Sequence, residues 1–86
     1  MSDKMTISPA QCRAARAMLN WSQEELARKA QLARATIADF EREVRKPIIN
    51  NLIAIQNALE IGGIEFITNQ GSGEGVKFCL EENNIS

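Results

Sequence analysis

Apolar residues recur at helical spacing from Ser8 to Ile61, and the pattern then switches to one that suits strands. Ser8-Pro9-Ala10-Gln11 opens the first helix: a serine cap, proline in the first turn and glutamine three residues after the cap, which is the pattern of a capping box. Cys12, Ala15, Arg16 and Leu19 line its inward face. Ser22 and Glu25 predict a second capping box, with Trp21 placed to staple onto Leu26 and with Leu26, Ala27 and Ala30 inward. Gln31-Leu32-Ala33 is a turn. A third helix follows from about Ala33 to Arg42, with Ile37, Phe40 and Glu41 inside. Ala35, Ala38, Asp39 and Arg42 are assigned to the opposite face, flanked by Arg34 and Thr36. Val44 to Lys46 form a basic loop, and Pro47 prevents the third helix from continuing. A fourth helix covers roughly Ile49 to Glu60 on the stripe Leu52, Ile55 and Leu59, and Gly62-Gly63 ends it.

Two β-like runs complete the chain, Ile64 to Thr68 and Val76 to Leu80, joined by the seven-residue stretch Asn69 to Gly75. The predicted fold is mainly α: four helices with a C-terminal β-hairpin extension. The expected organisation is a disordered N-terminus (1–7), a helical domain (8–62), the hairpin (63–80) and a frayed tail (81–86).

At 86 residues the chain makes one domain with a small core. It contains no apolar run near the roughly 18 residues a membrane span needs, and no apolar leader, so a cytoplasmic protein is the expectation. There is no histidine, and two cysteines are too few ligands for a zinc site. Cys12, on an apolar helix face, reads as a buried structural thiol. No metal or other cofactor is expected. Charge adds more. Residues 13–46 hold eight basic and five acidic side chains, net +3, and the remainder holds two and six, net −4. The overall −1 therefore conceals a basic segment, which local fields read as attractive to anions.

The run Trp21-Ser-Gln-Glu-Glu-Leu-Ala27, then Arg34-Ala-Thr-Ile37, Phe40-Glu-Arg42, Arg45-Lys-Pro47 and Leu52 to Leu59 resembles the lambda-repressor/Cro-type (XRE-like) helix-turn-helix family, over residues 12–61 and without gaps. That resemblance implies a four-to-five-helix lambda-repressor-like fold and sequence-specific binding of duplex DNA. It places Arg34, Ala35, Ala38 and Asp39 where such proteins read base edges. Arginine pairs bidentately with guanine, aspartate accepts from cytosine, and alanine meets a thymine methyl. Asp39 could instead orient Arg34 or Arg42, or repel phosphate. The resemblance puts Gln23, Thr36, Arg42, Arg45 and Lys46 at the DNA phosphates. Gln23 is otherwise a plain first-turn residue, and Thr36 otherwise fills space. It also implies an ion pair between Arg16 and Glu41, two charges on inward faces that burial requires to be paired. Three positions depart from the family pattern: Gln31 replaces a turn glycine, Ala33 a serine-like cap, and Glu43 a common glycine.

The function expected is a DNA-binding transcriptional regulator, most simply a repressor, acting as a homodimer because such readers grip two half-sites. The alternative is an antitoxin-like or adaptor module that grips a partner protein with its C-terminal strands. A lone hairpin is marginal in water, so it must pack on its own bundle or on another chain. In the second case Ile64, Phe66, Val76 and Phe78 form the dimer contact, helped by Ile53 and Ile61. No catalytic constellation is present, and Gly71 to Gly75 lack the following helix and lysine of a phosphate-binding loop, so an enzyme is not expected.

Overall fold

In the computed structural model, which describes residues 7–69 and 73–78, Ser8 caps the first helix as its sequence predicts. The Ser8 hydroxyl accepts from the Gln11 amide at 3.1 Å, and the Gln11 side chain accepts from the Ser8 amide at 3.0 Å. Four helices follow in order: α1 (Pro9–Leu19), α2 (Gln23–Ala30), α3 (Arg34–Glu41) and α4 (Ile49–Ile61). Strands β1 (Ile64–Asn69) and β2 (Gly73–Phe78) form an antiparallel hairpin.

Cys12, Leu26, Ile37, Ile55 and Leu59 are fully buried at the centre, with Ala15, Ala27, Ala30 and Ala58 between them. Each large aliphatic side chain so buried contributes about 1.5–3 kcal/mol, and the small alanines let the helices approach. Ile7 joins this core. The expected disordered N-terminus is therefore one residue too long at its inner end, because an isoleucine beside the cap buries more area than a frayed chain would; residues 1–6 lie outside the described residues. The tail 81–86, with Cys79 and Leu80, also lies outside them.

Among the described residues, three that are not glycine take left-handed backbone conformations: Asn20, Gln31 and Glu43, at φ of 61°, 62° and 61°. Each ends a helix. After α2, the Leu32 amide returns to the Ala27 carbonyl at 2.9 Å, and after α3 the Val44 amide returns to Asp39 at 2.9 Å. Gln31 and Glu43 are two of the three departures from the family pattern, and both carry the steric cost that glycine avoids. Ala33, the third, caps α3 with no side-chain hydrogen bond.

The second capping box is half formed. Ser22 accepts from the Glu25 amide at 3.0 Å. The Glu25 carboxylate turns away to Arg28 at 2.9 Å and Lys29 at 3.6 Å, because two cations within one turn outcompete a single backbone amide. Lys29 lies 5.0 Å from the centre of the Trp21 ring. That ring leaves no room beside Gly62, where a Cβ would come within 2.6 Å of it.

The hairpin register pairs Ile64 with Phe78, Phe66 with Val76 and Ile67 with Gly75. The connection is residues 70–72, shorter than the seven-residue stretch expected, because ladder pairing extends to Asn69 and Gly73. Ile64 is buried, and Phe66 and Val76 pack against the core of the same chain. Three of the four residues expected at a dimer contact thus face their own bundle; only Phe78 is exposed. Burial of an apolar strand face on the nearest core avoids an association cost.

Gln11 anchors this arrangement. Its side-chain amide donates to the carbonyls of Ile67 at 3.1 Å and Gly75 at 3.0 Å, across both strands. With its oxygen on Ser8, every polar atom of that buried side chain is used. Gln11→Met should therefore speed amide hydrogen exchange in 64–69 and 73–78 and cost about 1–3 kcal/mol. Unchanged exchange in the hairpin would show that the clip is dispensable.

Candidate nucleic-acid interface

Glu41 ends α3 with its carboxylate inside the protein, only 2% exposed. Four donors meet it. Arg16 on α1 presents both Nε, to Oε2, and Nη2, to Oε1, each at 2.8 Å. Gln23, first residue of α2, donates to Oε1 at 3.1 Å, and the Cys12 thiol faces Oε2 at 3.2 Å. Arg16 also donates to the Trp21 carbonyl at 3.0 Å, and Arg13 donates to the Glu41 carbonyl. One carboxylate thus joins α1, α2 and α3. The expected Arg16–Glu41 pair is present; the parts played by Gln23 and Cys12 are additions that periodicity alone does not reveal.

These contacts shift the titrations. Burial alone would raise the Glu41 carboxyl, but hydrogen bonds from Arg16, Gln23 and Cys12 outweigh it and hold Glu41 below the usual carboxylate range. Burial, reinforced by the Glu41 charge, pushes the Cys12 thiol far up, so it stays protonated and structural. The hydrogen bond to Glu41 raises Arg16 despite its burial.

Gln23 carries the network outward. While its amide nitrogen is on Glu41, its Oε1 accepts from Arg34 Nη1 at 3.3 Å. Arg34 is the first residue of α3 and is exposed, so its guanidinium is directed from within. The partner of Arg34 is Gln23 rather than Asp39, which closes one of the alternatives for Asp39.

Helix α3 forms a ridge between two hollows. On the α2 side, Arg34 lines one with Ser22, Glu24 and Arg28. On the α4 side, Ala35, Thr36 and Asp39 line the other with Arg45, Lys46 and Asn51. The fold thereby brings together Ala35, Thr36, Asp39, Arg45 and Lys46. Arg42 is exposed at the C-terminal cap of α3, outside both hollows. Ala38 is 8% exposed and does not belong to the outward face expected of it. Its position is near the boundary of the helix stripe, where periodicity assigns inside and outside only to within a residue. Asn51 also lines the hollow on the α4 side, and the polar Asn50-Asn51 pair opening α4 is its signal in the sequence.

A helix-turn-helix family model matches residues 13–66, from within α1 into β1. The chain belongs to the helix-turn-helix family. The match is to the XRE, lambda-repressor type, whose members are DNA-binding transcription regulators. No curated protein matches the chain. In this helix-turn-helix protein the matched segment contains the Arg16–Glu41 pair, Gln23 and all of α3, whereas Gln11, Cys12 and β2 fall outside it. Among the described residues no helix is long and apolar enough to cross a membrane.

Glu41→Ala should cost about 2–4 kcal/mol, because it strands Arg16 in a partly buried site; superimposable urea melts of variant and parent would contradict this. The acid limb carries a second expectation. An unfolded glutamate titrates near about 4.3, and folded Glu41 titrates lower. Between those values the unfolded chain binds more protons, so stability rises with pH. The contribution is complete above the unfolded value and is lost as pH falls through the folded one. Glu41→Gln should flatten that limb in urea melts taken down to about pH 2.

Proposed function

We propose that this chain is a repressor that lays α3 in the major groove of duplex DNA. The observation that carries this reading is the outward Arg34, held through Gln23 by the buried Glu41 on a ridge flanked by Arg45 and Lys46. A guanidinium whose position is set before binding loses less freedom on meeting a guanine edge. Ala35 lies one residue on, suited to a thymine methyl, and Asp39 one turn further, suited to a cytosine amino group. Ala38 has no part in this reading. Arg42, Arg45, Lys46, Thr36 and Gln23 contact phosphates, which position the protein without reading sequence. Glu43 stands among these cations and weakens the attraction.

Two copies reading half-sites about one helical turn apart, roughly 34 Å, would occupy a promoter and exclude polymerase by occupancy alone. Arg45 and Lys46 on the α4 side of the helix favour a polyanion such as DNA for this face.

Selection of sites from a random DNA pool tests the reading, followed by salt titration of the preferred site. Arg34→Ala should cost about 1–3 kcal/mol and relax preference at one base pair. Arg45→Ala should weaken all sequences alike and lower the salt slope by about 1. An absence of binding at low salt, or equal behaviour of the two variants, would overturn it.

A further inference from the structure

A cavity of about 360 Å³ opens between the start of α1, the end of α3 and the loop that joins α3 to α4. Its lining includes Ile7, Phe40 and Leu52, all buried in the core. Val44 lines it too and is 61% exposed, an apolar side chain between charged neighbours. Its charged lining is Glu43, Arg45 and Lys46, two cations against one carboxylate. Small-molecule sites have this make-up: an apolar hollow of roughly 300–1,000 Å³ with a few polar groups. Arg45 and Lys46 also line the hollow beside α3, with Thr36 and Asp39. The two spaces therefore share their cations. The start of the loop is fastened to α3, because the Val44 and Arg45 amides both donate to the Asp39 carbonyl, at 2.9 and 3.4 Å. With that backbone held, the long exposed side chains of Arg45 and Lys46 are what can turn from one space to the other.

We propose that this cavity is an effector site for a small carboxylic acid with an apolar body, and that its occupancy weakens DNA binding. Only the second half rests on the DNA reading given above. The body of the acid covers Val44 and meets Ile7, Phe40 and Leu52, so apolar surface leaves water on both partners. The carboxylate stays at the rim with Arg45 and Lys46. Charge sets the sign of the ligand, since the charged lining is net +1 and favours an anion over a cation. Size sets its class. The cavity is near the lower limit for a small-molecule site, so one aliphatic chain or one ring fills it.

Coupling to DNA follows from the shared cations. A carboxylate at the rim and a DNA phosphate draw on the same two side chains, so each occupant lowers affinity for the other, and by the same factor. A cation engaged by the acid is also lost from the phosphate contacts, which reduces the salt dependence along with the affinity. Glu43 lines the cavity and opposes an anion there, which keeps the affinity modest.

Amide NMR shifts of the full chain, titrated without DNA with octanoate or octanol to about 10 mM, test the site. Octanoate should saturate, with shifts gathered at Ile7, Val44 and Leu52, and octanol should bind at least about threefold more weakly. Arg45→Gln/Lys46→Gln should erase that difference, and Glu43→Gln should widen it. Val44→Ser should weaken both probes while keeping the parent's thermal melt, since Val44 is exposed. If the double variant unfolds, Lys46→Gln replaces it and should narrow the difference. No saturable shift, shifts centred away from the cavity, or octanol bound as tightly as octanoate would each overturn the proposal. On the preferred duplex, saturating octanoate should weaken the parent at least about threefold relative to equal acetate and lower the salt slope by about 1 to 2. Equal DNA affinity in the two salts would also overturn it. A parent that takes octanoate into the cavity yet binds no duplex at low salt refutes the DNA reading and leaves the ligand site standing.

Discussion

The buried carboxylate of Glu41 is the constraint on which the rest of the structure depends. An ionised group with 2% exposure is tolerated only when its lone pairs are used, and here four donors from three positions use them. Those donors come from α1 and α2, so the charge can be satisfied in only one relative placement of the three helices. Apolar packing of Leu26, Ile37 and Leu59 supplies most of the stability but tolerates small slips. The Arg16–Glu41 pair has directional geometry and does not. Its net energy is modest, because desolvation offsets much of the Coulomb gain. Its effect is on which arrangement is adopted.

The same constraint links core and surface. Gln23 bonds inward to Glu41 and outward to Arg34. An arginine on the rim of a small protein has many rotamers; this one is directed by a chain of bonds that begins at a buried carboxylate. The buried core and the placement of a surface arginine are therefore coupled at the junction of α2 and α3. The turns on either side of α3 carry strain, since Gln31 and Glu43 occupy left-handed conformations and Ala33 provides no cap. Helix α3 is held by what it packs against more than by its own ends.

The hairpin follows a parallel logic. Two strands cannot stand alone in water, and this pair is held by an apolar face on the bundle and by the Gln11 clip. Among the described residues, exposed apolar side chains remain along α4 and at Val44 and Phe78. The exposed isoleucines there lie on the helix that borders the α3 hollow at Ile48 and Asn51.

Much of this was legible in the amino-acid order. Helical spacing, the serine caps and Pro47 located four helices and their boundaries, because these are local effects of backbone geometry and side-chain reach. Two charges on inward faces, Arg16 and Glu41, announced their pairing, because burial leaves no alternative. What the order of residues could not decide was how elements meet. Ala38 lies near a stripe boundary, where periodicity assigns inside and outside only to within a residue. Gln11 had a complete local role in its capping box, and its bonds to Ile67 and Gly75 span more than fifty positions. Whether Ile64, Phe66 and Val76 covered their own core or another chain depended on where α1 and α4 left an open apolar surface. Local pattern sets which residues want burial; only tertiary packing decides what buries them.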